Sequence, residues 1–133
     1  ESLAYSADLD GDGQMEWILE NAKARAVFSP QDGGRWLEFV WKDSGLNLLP
    51  ENGALAGTGA ANVQINADGA LEFRCNGWRR LVHLAPGGAS LEVEQSTPLP
   101  PETLRTGKKN DIVLRVTRES PVKAVYSLDR PAQ

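Results

Sequence analysis

Asn62-Val63-Gln64-Ile65-Asn66-Ala67-Asp68-Gly69-Ala70-Leu71-Glu72-Phe73-Arg74-Cys75-Asn76-Gly77-Trp78 is the stretch on which the reading of this chain turns. Apolar and polar residues alternate from Asn62 to Asn66, the period of a strand with one covered face. Ala67-Asp68-Gly69-Ala70 then supplies a hairpin turn into Leu71 to Cys75, and Asn76-Gly77 a second one into Trp78 to Leu84. The same grammar extends in both directions. Met15 to Leu19, Ala24 to Ser29, Arg35 to Trp41 and Leu46 to Leu49 read as strands on the N-terminal side. Ser90 to Glu94, Ile112 to Val116 and Val122 to Leu128 do so on the C-terminal side. No segment holds helical periodicity long enough to stand. About nine short strands punctuated by Gly, Pro, Asn and Asp predict an all-β fold, an antiparallel β-sandwich.

Within that frame Leu37, Phe39 and Trp41 share one face of their strand and Trp36 takes the other, so Trp36 is expected to be partly exposed. The Gly-rich stretch 51–61 reads as a mobile surface loop. The unpatterned stretch 97–110, with Pro98, Pro100 and Pro101, reads as a functional loop or a crossover between sheets.

A length of 133 residues suits one domain with a single core. Lys and Arg number 14 against 18 Asp and Glu, and the basic residues are scattered. Neither nucleic acid nor an anionic membrane surface is therefore an expected partner. No apolar run approaches the ~20 residues of a membrane-spanning helix, so no membrane insertion is expected. The lone Cys75 excludes an internal disulfide and a cysteine-cluster zinc site, and its place in Leu71 to Cys75 makes it a small core residue. The sequence begins at Glu1 with no leader segment, as expected for a piece of a longer protein.

Before the first of these strands stands Asp8-Leu9-Asp10-Gly11-Asp12-Gly13-Gln14-Met15-Glu16. Short carboxylates on alternate residues, then glycine, fold oxygen donors about one point, and calcium takes 6–8 oxygens at roughly 2.3–2.6 Å. Asp8, Asp10, Asp12, the Gln14 backbone carbonyl and Glu16 are the expected ligands of a Ca2+ ion. Leu19 stands where an EF-hand would need its bidentate glutamate, and a strand follows instead of a helix. The loop over 8–16 resembles the compact Asp-x-Asp-x-Asp-Gly-x-x-Glu calcium loops that precede strands in extracellular modules. An extracellular or periplasmic location is expected on that basis. The bland reading is an empty Asp/Gly turn.

A second resemblance rests on Leu19-Glu20-Asn21, on Arg25 to Pro30, on Gly33 to Leu37 and on Lys42-Asp43-Ser44-Gly45-Leu46-Asn47-Leu48-Leu49. This succession is similar to the opening of galactose-mutarotase-like β-sandwich domains, which occur in aldose epimerases and beside glycoside hydrolases. It implies a reduced version of that supersandwich and a non-catalytic accessory domain of a larger secreted carbohydrate-active protein. Neighbouring domains of that protein would be its partners. The epimerase chemistry needs a positioned histidine and a carboxylate base, and this chain has only His83.

Three further functions follow from individual side chains. Trp36 and Trp78, with Arg79 and also Arg35, Arg80, Asn62, Gln64 and Asn66 at the rim, are candidates for stacking an oligosaccharide or polysaccharide, while tryptophans in small sandwiches more often fill the core. His83 with Glu72 or Glu92 is the only pairing that would serve a mutarotase-like enzyme. Free strand edges beside a calcium loop also suit a protein–protein adhesion module. Glu38, Glu72, Glu92 and Glu94 are expected on a solvated outer face.

Overall fold

The computed structural model describes residues 3–99 and 107–130. Among these residues there are twelve strands and no helix. They are β1 (Leu3–Ala7), β2 (Glu16–Glu20), β3 (Ala24–Phe28), β4 (Trp36–Trp41), β5 (Leu46–Asn47), β6 (Asn62–Ile65), β7 (Leu71–Cys75), β8 (Trp78–Leu84), β9 (Ser90–Gln95), β10 (Gly107–Lys109), β11 (Ile112–Ser120) and β12 (Lys123–Asp129). One sheet runs β1-β2-β3-β4-β5 and the other β10-β11-β12-β9-β8-β7-β6. Every pairing is antiparallel. The expected all-β sandwich is the fold.

β1 and β10 escape the sequence pattern for a plain reason. Leu-Ala-Tyr-Ser-Ala is short of β-branched residues, and Gly-Lys-Lys has no apolar residue to alternate. After β9 the chain crosses to the far edge of its own sheet, because β10 lies beyond β11 and β12. The stretch 97–110 is thus a crossover within one sheet, with residues 100–106 outside those described.

One buried cluster fills the space between the sheets. Leu19, Ala24, Ala26, Phe28, Trp36 and Phe39 come from the smaller sheet; Leu71, Phe73, Val82, Leu84, Leu91, Val93, Ile112, Leu114 and Tyr126 come from the larger. Aromatic rings join the layers: Phe28 lies 5.4 Å from Phe73, and Trp36 meets Tyr126 edge-on at 4.9 Å. Such pairs contribute about 0.5–1.5 kcal/mol beyond their buried area.

Two expectations fail here. Trp36 is 0% exposed. Between Trp36↔Phe28 and Glu38↔Val27 the register slips by one residue, so Leu37 is the extra residue of a β-bulge. The bulge reverses the alternation and turns Trp36 to the same side as Phe39. Its indole N–H donates to the Glu38 carbonyl at 2.8 Å.

The stretch 51–61 is not a free loop either. Trp36 and Ala54 exchange backbone hydrogen bonds of 2.8 and 2.9 Å, Gly57 N–H reaches Asp32 O, Gly33 N–H reaches Gly59 O, and Ala61 N–H reaches Pro30 O. Leu55 is buried at φ 58, a conformation that costs a non-glycine residue about 1–2 kcal/mol. Gly53 needs its missing side chain, since a Cβ there would stand 2.2 Å from Trp36 O.

Candidate metal centre

The β1–β2 hairpin aligns Ala7 with Glu16, and residues 8–15 close it. Each carboxylate in the loop is oriented by backbone N–H groups. Asp8 accepts from Gly11 through Oδ1 and from Gly13 through Oδ2, both at 2.9 Å. Asp12 N–H donates to Asp10 Oδ1 at 3.2 Å, Gln14 N–H to Asp12 Oδ1 at 2.8 Å, and Leu9 N–H to Glu16 Oε1 at 2.8 Å. Gly11 and Gly13 take positive φ, which lets the chain curl around its own side chains.

Asp8, Asp10 and Glu16 converge, with one carboxylate oxygen of each within 4.8 Å of the others. This cluster is able to hold a metal ion. Asp8 and Asp10 are exposed while Glu16, at the foot of β2, is only 6% exposed. Asp12 stands outside the convergent trio with its oxygen turned to Gln14, and Gln14 takes part through its N–H. The Gly13 N–H lowers the Asp8 carboxyl most, desolvation opposes it, and the Gly11 N–H with Asp10 and Asp12 keeps the net shift below the ordinary range. At Asp10 the Asp12 N–H pulls the same way, but the Asp12 carboxylate, desolvation and Asp8 outweigh it and the net shift is upward. An acid held up by its neighbours is the signature of uncompensated negative charge.

The donor set is entirely oxygen and anionic, which fits a hard divalent cation and fits soft or nitrogen-seeking metals poorly. Three carboxylates in one shell leave further coordination positions for carbonyls or water. Such a shell can tie β1 to β2.

The carbohydrate candidates separate. Trp36 is in the core and cannot present a face to a sugar. Trp78 is half-buried against the core, Arg79 is exposed, and the guanidinium of Arg80 lies 4.6 Å from the Trp78 ring centroid. Trp17 and Trp41 are also partly buried against the core.

His83 stands directly opposite Glu92 on the outer face of the larger sheet. They line an open depression of about 410 Å³ with Asn66, Asp68 and Glu94. The Glu92 carboxylate is taken by Lys123 at 3.2 Å, and Lys123 also meets Glu119. Glu72, expected in solvent, is 8% exposed and bonded by Arg74 Nε at 2.5 Å. Glu38 pairs with Arg25 at 3.2 Å. Cys75 packs on the core with its thiol toward the Thr58 and Ala60 carbonyls.

Arg80, expected at the rim of a sugar site, is instead buried, and the sequence pattern does not single out Asn21 as a functional side chain. Arg80 shares the phase of Val82 and Leu84 and is 4% exposed. Its Nε donates to Gln95 Oε1 at 3.0 Å, Nη1 to the carbonyls of Gly33 and Gly34, and Nη2 to Leu55 O. Burial pushes it down to about 10, offset slightly by Tyr126 and Cys75, so it stays charged at neutral pH. Its alternation with Val82 and Leu84 was the one available signal. Asn21 is 5% exposed; its amide donates to Ala85 O and Gly88 O while its oxygen accepts from Lys23 and Ala24.

Comparison with protein-family models, with curated proteins and with solved structures finds no match in any of the three.

Proposed function

We propose that this chain is a non-catalytic accessory β-sandwich module whose N-terminal hairpin is fastened by calcium. The observation that carries the reading is the convergence of Asp8, Asp10 and Glu16 within 4.8 Å, with Glu16 buried at the start of β2. Crowded carboxylates repel one another, and a divalent cation converts that repulsion into a cross-link. Calcium suits the site better than magnesium, because a curled loop of mixed carboxylates and carbonyls tolerates the irregular shell of calcium. The expected Asp12 and Gln14 contributions require the loop to tighten when the ion enters.

A secreted setting follows, since calcium at millimolar level fills even a modest site. The module's place beside a carbohydrate-active domain rests on the likeness of residues 19–49 to galactose-mutarotase-like domains. Neighbouring domains of the parent protein are its partners in this reading. The Lys123–Glu92 ion pair opposes an epimerase-like role, because the carboxylate on the strand position directly opposite His83 is already committed to a cation.

Thermal unfolding of the chain in millimolar calcium and in excess chelator tests the proposal. Binding at a hundred times Kd stabilises the native state by about 2.7 kcal/mol. The melting temperature should rise with calcium in the wild type and stay flat in Glu16→Gln. Identical curves for the wild type in both buffers would refute calcium binding.

A further inference from the structure

The chain contains two Asn-Gly pairs, Asn52-Gly53 and Asn76-Gly77, and the fold treats them in opposite ways. In the first, Gly53 N–H donates to Pro50 O at 2.8 Å, and the next residue, Ala54, is locked to Trp36 by two backbone hydrogen bonds. Gly53 also lies so close to Trp36 O that a Cβ would come within 2.2 Å of it. In the second, Asn76 and Gly77 are the two exposed residues of the hairpin between Cys75 and Trp78, which face each other across β7 and β8. Gly77 has nothing within 4 Å of where a Cβ would stand, and among the described residues its N–H enters no turn or loop hydrogen bond.

We infer that Asn76 is a site of spontaneous covalent modification, and that Asn52 is protected by its fold. The reaction uses only the chain and water. The Gly77 amide nitrogen gives up its proton to solvent and attacks Asn76 Cγ, forming a carbon–nitrogen bond. The side-chain nitrogen leaves as ammonia, and a five-membered succinimide remains. Water then opens either carbonyl, giving aspartate or isoaspartate at position 76. The lack of a side chain on Gly77 is what lets its nitrogen approach, and at Asn52 the same nitrogen is engaged and its segment pinned.

The product changes its surroundings in a defined way. A carboxylate appears at the turn beside Arg74 and Arg79, which are paired across the strands. Isoaspartate also puts one extra methylene into a two-residue turn that sets the register of Trp78, the ring beneath Arg80.

The test is incubation of the full chain at mildly alkaline pH, followed by peptide mapping with mass and isoaspartate detection. The peptide spanning Asn76 should convert at least about tenfold faster than that spanning Asn52, equivalent to ~1.4 kcal/mol of barrier. In denaturant the two rates should approach each other, and Asn76→Gln should abolish conversion at that turn. Equal rates in the folded chain, a ratio unchanged by denaturant, or no conversion at Asn76 would each overturn the inference.

Discussion

Arg80 carries a positive charge into the space between the sheets, and no described carboxylate pairs with it. The charge is tolerated because carbonyl oxygens from two segments and the Gln95 amide surround it, with the Trp78 ring alongside. A buried cation on an aromatic face gains about 2 kcal/mol. Hydrogen bonds to a charged group contribute about 1.5–3 kcal/mol each. Taking the guanidinium out of water offsets several kcal/mol of these gains, so Arg80→Met should cost about 3 kcal/mol by stripping the donors from Gly33, Gly34, Leu55 and Gln95. Arg80→Lys should cost nearly as much, because one ammonium cannot reproduce the planar fork. Urea midpoints measured at constant m-value decide both. A Met variant as stable as the wild type would mean that the carbonyls find new donors.

At the scale of elements, the β2–β3 turn depends on Asn21, whose side chain spans from its own turn to the β8–β9 turn of the other sheet. Asn21→Ala should cost about 2 kcal/mol, and Asn21→Asp more, because a carboxylate would face the Ala85 and Gly88 carbonyls. The melting temperatures of the two variants give the order. On the outer face of the smaller sheet, Glu20 accepts from the Tyr5 hydroxyl and pairs with Lys42 at 2.5 Å. Burial alone would raise its carboxyl, but Lys42, Tyr5 and Arg25 together hold it below the ordinary range. A depressed acid stabilises the fold above its unfolded pKa of roughly 4.3 and loses that contribution as pH falls through the folded value. The gap in melting temperature between wild type and Glu20→Gln should be full above about pH 5 and close toward pH 2. The Tyr5 hydroxyl, raised chiefly by its bond to Glu20, titrates only in the alkaline range and leaves this window clear. A gap that stayed constant with pH would show that the Lys42 pair contributes nothing.

For the whole molecule, what the sequence disclosed and what it hid divide by distance along the chain. Alternation and turn residues act between neighbours, so most strands and the sandwich class were legible. The carboxylates of the candidate metal centre lie between Asp8 and Glu16, so local spacing marked Asp8, Asp10 and Glu16, though it marked Asp12 equally and that side chain stands outside the trio. One inserted residue at Leu37 has no sequence mark, yet it moves Trp36 from the surface to the core. The Arg80 partners come from Gly33, Gly34, Leu55 and Gln95, which no local pattern links to β8. The stretch 51–61 looked loose because its anchors are backbone contacts to residues 30–36.

The same division says where calcium should act. β1 is an edge strand with β2 as its one neighbour, whereas β8 and β9 lie inside the larger sheet. The proposed ion joins the two sides of the β1–β2 loop and touches nothing of the larger sheet, so its removal should release β1 by local opening without loosening the core. Hydrogen exchange should show β1 amides protected up to about a hundredfold more strongly when calcium stands at a hundred times Kd. The amides of β8 and β9 that exchange only when the whole fold opens should gain the same factor, because global unfolding also releases the ion, while in chelator β1 amides should exchange far faster than these. Equal protection of β1 and of β8 and β9 in chelator would mean that the hairpin is not a separable unit and opens only with the sandwich as one body. Protection gained nowhere would leave the Asp8 loop an ordinary turn.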